Sequence, residues 1–254
     1  MVVRSSKTGS FSFYSGKDNL TAIVETKDQS IKNQPILWLI HGSGGISSSE
    51  DIWKDRAFAY GFTCITVDSY TERSIFKTHW DGNDSIKLSS QERSFDIINA
   101  RNKFLELQEN LFNWTDPNKN VVIGFSDGGT AAIHLLTYSD NDWIQKPVYA
   151  FYPSFYKVDP KVYEIQEKSV HIFVGEHDNW TPAIYSEEFC KKTNNTVTVF
   201  KDTYHSFSKP GVADWHKNSF NHLGERGVYC EFNEAATELA MDYIFYDYDS
   251  ISTR

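Results

Sequence analysis

The stretch VVIGFSDGGT, residues 121–130, sets a β-branched apolar run directly against a serine flanked by glycines. Within it, Gly124-Phe125-Ser126-Asp127-Gly128 fits the G-x-S-x-G spacing of a nucleophile elbow, where a serine stands on a sharp turn between a strand and a helix. Five residues with two free positions recur by chance, so the flanking sequence has to decide. Before Ser126 lies a buried-strand pattern. After it, Ala131, Ala132, Leu135 and Leu136 supply the inner face of a helix that starts at Asp127 or Gly128. In that setting Gly124 and Gly128 remove side chains that would clash where strand folds into helix. The hydroxyl also stands near a helix N-terminus, whose dipole favours negative charge.

The same alternation of apolar runs and helical patterns continues along the chain and predicts an α/β fold with a mostly parallel central sheet flanked by helices. SFSFYS (10–15) and TAIVET (21–26) read as a leading hairpin. Residues 36–40, 62–67, 120–125, 147–152, 170–175 and 196–200 read as buried strands. Ser89-x-x-Glu92 is a capping box opening a helix over 89–112, with Phe95, Ile98, Leu105 and Leu111/Phe112 expected to face the sheet. Residues 183–192 read as a helix. Asn233 is expected to cap a last one with Ala236, Leu239/Ala240 and Tyr243/Ile244 buried. Residues 68–88 form the longest irregular segment and are expected to loop over one end of the sheet. With no repeat, low-complexity tract or Pro/Gly-rich linker, the 254 residues are expected to form one domain.

A serine hydroxyl needs a base. Of eight histidines, His205 follows the last strand pattern on a loop at the edge where Ser126 stands, which makes it the candidate. His134 falls in a helix and His171 in a strand, while His41 is expected to be structural. His79, His177, His216 and His222 lie on loops or in less readable sequence. An acid must then orient the imidazole. Asp178 follows a strand and satisfies the chain order Ser, Asp/Glu, His of α/β hydrolases; Glu176 and Asp202 are its rivals. Glycines in LIHGSGG (39–45) free backbone N–H groups directly after a strand. The expected oxyanion donors are the N–H of Asp127 and that of Ser43 or Gly44.

The motifs HGSGG (41–45), VDSYTER (67–73), GFSDGG (124–129), GEHDNWTP (175–182) and YHSF (204–207), in this order, resemble the dienelactone hydrolase family of α/β hydrolases. The likeness spans roughly residues 36–207. It implies that Ser126 is the nucleophile, Asp178 the acid and His205 the base. Founding members of the family carry cysteine at the elbow, so serine here points to a broader carboxylic ester or lactone hydrolase. An acyltransferase or thioesterase could use the same triad, and a non-catalytic binding protein the same fold.

Around this centre Arg73, Phe125, Tyr152, Trp180 and Phe207 are expected to line a substrate pocket, with Arg73 clamping a substrate carboxylate. His79 and Trp80 would cap it. No H-x-x-x-H helix, paired cysteine or Asp-rich loop supports a metal, and ester hydrolysis of this kind needs no cofactor. The expected partner is a small-molecule ester or lactone. A net charge of -9 with no basic cluster argues against nucleic acid. A mean hydropathy of -0.49 argues against a membrane protein. Three widely spaced cysteines and an N-terminus without an apolar core suggest a cytoplasmic protein; the sequence leaves its oligomeric state open.

Overall fold

In a computed structural model, residues 7–75, 88–138, 143–144, 147–155, 158–221 and 223–252 are described. The apolar runs become one eight-stranded sheet. Its strands are β1 (Lys7–Ser15), β2 (Asp18–Thr26), β3 (Gln34–Ile40), β4 (Thr63–Asp68), β5 (Thr115–Phe125), β6 (Val148–Phe151), β7 (Val170–Gly175) and β8 (Thr196–Phe200). The spatial order is β1-β2-β4-β3-β5-β6-β7-β8. β1 and β2 pair as the expected hairpin, and β2 runs antiparallel to β4. From β4 across to β8 every pairing is parallel. The carboxyl ends of these strands therefore share one edge, the place where open α/β sheets build sites.

Helices cover both faces, because parallel strands such as ILWLI are apolar on both sides. On one face lie α2 (Ser90–Leu111) and α3 (Asp127–Leu135). On the other lie α1 (Asp51–Ala59), α4 (Ala183–Thr193) and α5 (Glu234–Ser252). A two-stranded ribbon, β9 (Ala213–Phe220) and β10 (Arg226–Glu231), stands outside the sheet between β8 and α5. Neither α1 nor this ribbon is anticipated by the sequence reading. Among the described residues, no helix is long and apolar enough to cross a membrane. Cys64, Cys190 and Cys230 are free and buried.

The capping box forms: the Ser89 side chain accepts from Glu92 N and the Glu92 carboxylate from Ser89 N. The face that α2 buries differs from the expected one. Phe95, Leu105 and Leu111 are exposed, while Arg93, Ile97, Ala100 and Phe104 are buried. Polar residues occupy this inner face because each finds a partner, Arg93 on Asp127 and Asp96 on Arg73. In α5 the Asn233 side chain accepts from Ala236 N at 3.1 Å as a cap. Ala236, Ala240 and Ile244 are buried as expected, but Leu239 and Tyr243 yield to Met241 and Phe245. Within 68–88, a short 3-10 turn spans Thr71–Arg73. His79, Trp80 and His222 lie outside the described residues.

Candidate active site

Ser126 stands between β5 and α3 with φ 53° and ψ -120°. For a residue with a Cβ this is a strained backbone, sustained only where surroundings over-determine it. Here Ser126 N donates to Phe151 O at 2.8 Å, and Ser126 O accepts from Gly129 N at 2.8 Å and Thr130 N at 3.1 Å. The flanking glycines are required by close approach. A Cβ at Gly124 would lie 2.2 Å from Gly128 O, and one at Gly128 2.3 Å from His41 O.

The loops after β7 and β8 bring the partners. His205 Nε2 lies 3.2 Å from Ser126 Oγ. The other ring nitrogen, Nδ1, lies 2.7 Å from Asp178 Oδ2. Asp178 is held in turn: its Oδ1 accepts from Trp180 N at 2.9 Å and Thr181 N at 2.7 Å. Thr181 Oγ1 stands 2.9 Å from Oδ2. Both His205 and Asp178 are buried. The ribbon fixes the histidine from behind, Glu231 N donating to His205 O at 3.1 Å. The rival acids are elsewhere. Glu176 accepts from Asp202 N, and both face the exposed His177. These three form the one grouping among the described residues whose ligand atoms, within 4.8 Å of one another, could meet a metal ion. It lines neither lobe of the cleft.

On the other side of Ser126, Gly45 N donates to Gly42 O at 3.1 Å, closing a turn with Ser43 and Gly44 at its centre. Asp127 is the first residue of α3, so the helix itself provides no acceptor for its N–H. Its carboxylate accepts from Arg93 Nη1 at 2.6 Å and Ser90 Oγ at 2.9 Å. Arg93 is fully buried, donates also to His41 O, and lies 5.0 Å from the Tyr70 ring centroid. Its guanidinium thus ties the elbow to the residue that precedes the Gly42–Gly45 turn. Burial, and secondly the Arg93 charge, push the His41 pKa down to about 3. The neutral ring donates from Nδ1 to Gly42 O at 2.7 Å and accepts at Nε2 from Ser69 N at 3.3 Å. Sequence reasoning missed Arg93; its signal was an arginine in phase with Ile97, Ala100 and Phe104 on a helix whose polar face lies opposite.

Ser126 opens onto a cleft with two lobes, of about 310 Å³ and about 640 Å³. Ser43, Ser126 and Trp180 border both. Phe125, Tyr152 and Gly44 line the smaller lobe and Asp127 the larger. Tyr152 Oη lies 2.7 Å from Ser208 Oγ, and burial pushes its phenol pKa up. Two expected pocket residues are corrected. Phe207 is wholly buried in the core against Phe151, Tyr152 and Phe200, and lines neither lobe. Arg73 faces inward: Nε donates to Asp18 at 2.7 Å, Nη1 to Asp96 at 2.7 Å and to Ser69 O at 2.8 Å, and Nη2 to Asp96 at 3.0 Å. Those bonds occupy the donors that a substrate carboxylate would need.

The fold matches solved structures at low identity. A putative dienelactone hydrolase from Klebsiella pneumoniae superposes with a TM-score of 0.68 at 13% identity, covering 96% of this chain and 99% of that one. A dienelactone hydrolase-like promiscuous phosphotriesterase from metagenomic libraries gives 0.66 at 13%, covering 95% and 98%. A fungal esterase from Rhizomucor miehei gives 0.67 at 10%, covering 97% and 84%. A search of the curated proteins finds no match. The pattern of the dienelactone hydrolase family matches residues 20–246, and the chain, an α/β hydrolase, belongs to that family.

Proposed function

We propose that the protein hydrolyses carboxylic esters or lactones through an acyl-enzyme on Ser126. The observation that carries this reading is the hydrogen-bonded line from Ser126 Oγ through His205 to Asp178, with the serine on a strained elbow. Ser126 Oγ attacks the carbonyl carbon while its proton passes to His205 Nε2. Asp178 holds Nδ1–H and stabilises the imidazolium. The carbonyl oxygen becomes an oxyanion facing the N–H of Asp127 and of Ser43 or Gly44. The C–O bond then breaks as Nε2 returns the proton to the departing alkoxide, releasing the alcohol. Water, deprotonated by the same nitrogen, adds to the acyl carbon; collapse frees the acid and restores the serine.

The family supports a small-molecule hydrolase; the ester or lactone chemistry follows from the serine and its base. The test is labelling by a fluorophosphonate, which reports an activated serine without knowledge of the substrate. The native protein is expected to label and to hydrolyse simple esters, and Ser126→Ala to do neither. A variant retaining more than about a hundredth of the native rate would overturn the assignment, since losing a triad nucleophile costs on the order of 10⁴-fold or more.

A further inference from the structure

The two lobes of the cleft differ in size, charge and position relative to His205. His205 lines the small lobe and is absent from the wall of the large one. Collapse of the first tetrahedral intermediate needs a proton delivered from His205 Nε2 to the departing oxygen, so that oxygen must lie on the His205 side of Ser126. The small lobe is then the alcohol side and the large lobe the acyl side.

The large lobe has an apolar body, formed by Phe155, Val158, Tyr185 and Phe220. Its floor is α3. Ser126, Thr130 and His134 recur at four-residue spacing and so lie along one stripe of that helix. Eight residues at the helical rise put His134 roughly 12 Å beyond Ser126. Thr130 Oγ1 is engaged, bonded to Ser154 O at 3.0 Å and accepting from Ser154 N at 2.9 Å. His134 is not: it is only 3% exposed, and its buried Nδ1 has no hydrogen-bond partner among the described residues. A buried polar atom of this kind costs free energy until something bonds to it. Burial lowers the pKa of this imidazole, so the ring is neutral. Among the described residues lining this lobe there is no lysine or arginine, and two are acids, Asp127 and Asp159.

We propose that the large lobe takes a neutral acyl group of arylalkanoyl length whose far end carries a hydroxyl bonded to His134. A hydroxyl both donates and accepts, so it suits either tautomer of the ring. A carboxylate there would meet two acids and no cation. This inference rests on the serine hydrolase reading above and names the acyl half of its substrate.

The experiment uses the full chain with four esters: methyl phenylpropanoate, its para-hydroxy and para-carboxylate derivatives, and the reversed ester phenylpropyl acetate. Methyl phenylpropanoate should exceed phenylpropyl acetate in kcat/KM. The hydroxy ester should exceed the plain one by about tenfold, the scale of one hydrogen bond, and the carboxylate ester should be slowest. His134→Phe should bring the hydroxy-to-plain ratio to about one, and His134→Asn should keep part of it. The ratio is taken within each folded variant, so altered yield or stability does not enter. Fluorophosphonate labelling of each protein reports Ser126 separately. If the native protein labels but shows no hydroxyl preference, prefers the reversed ester or favours the carboxylate, the acyl-site inference falls and the nucleophile stands. If it does not label, the serine reading falls first.

Discussion

Two buried polar clusters flank Ser126, each containing a histidine and an aspartate, and they are put to opposite uses. In one, His205 turns a ring nitrogen to the serine hydroxyl and the cleft while Asp178 occupies the other. In the second, both ring nitrogens of His41 are taken up by backbone groups, and Asp127 is committed to Arg93. In the reaction proposed above the first cluster exchanges a proton. The second carries a fixed charge, because an arginine does not deprotonate in a protein, and it ties the elbow to the residue before the Gly42–Gly45 turn. Burial alone does not separate them, since His205 and His41 are both nearly inaccessible. What separates them is whether a nitrogen faces the cleft.

The largest effect expected from breaking this contrast is on the proton-exchanging side. Asp178→Asn should depress kcat by roughly 10⁴-fold, about 5.5 kcal/mol of transition-state stabilisation, by favouring the wrong imidazole tautomer, as the same change does in serine proteases. Glu176→Gln should change kcat by less than about threefold, because its carboxylate faces His177 and Asp202. Steady-state kinetics on one ester measures both. A reversed ranking would transfer the role of the acid to Glu176.

On the fixed side the expected effect is on stability. Asp127→Asn leaves the fully buried Arg93 guanidinium without its carboxylate and should cost about 3–5 kcal/mol. Arg93→Met should cost less, because the Asp127 carboxylate is about one-fifth exposed and retains Ser90. The double variant should recover part of the loss, since it leaves neither charge unpaired. Urea unfolding of the three variants measures the cycle, and additive costs would mean that the pair is not coupled.

What the sequence disclosed divides along the same line. The elbow turn, the strands, and the loops that bring Ser126, Asp178 and His205 together were legible, because the proposed chemistry demands particular residue types at strand ends. Hydrophobic periodicity located α2 but chose the wrong face: it counted Phe95 and Leu105 as buried and could not count Arg93 or Asp96, whose partners lie far along the chain. Arg73 misled for the same reason. A loop arginine near the site resembles a substrate clamp until Asp18 and Asp96 are seen around it. The β9–β10 ribbon carries Trp215 and Phe220 on an exposed surface, so its strands lack the clean alternation by which a half-buried strand is recognised.

The smallest effect tests by pH whether the sealed histidines are held neutral. His171, like His41, is buried and neutral: burial lowers its pKa to about 4, with Nε2 against Thr198 Oγ1 at 2.8 Å. In the unfolded chain both titrate near about 6.5. Between that value and their folded values the unfolded state binds more protons, so stability rises with pH across this window. Their contribution is complete above about pH 6.5 and declines as the solution is acidified, by about 2 kcal/mol for each histidine at pH 5. His171 adds no further loss below about pH 4, and His41 none below about pH 3. Urea midpoints between pH 7 and pH 5 should therefore fall in the native protein, and fall less steeply in His171→Gln, which keeps a partner for Thr198 but cannot take up a proton. Parallel slopes for the two proteins would mean that His171 is charged in the folded state, and that sealing a histidine in this sheet does not hold it neutral.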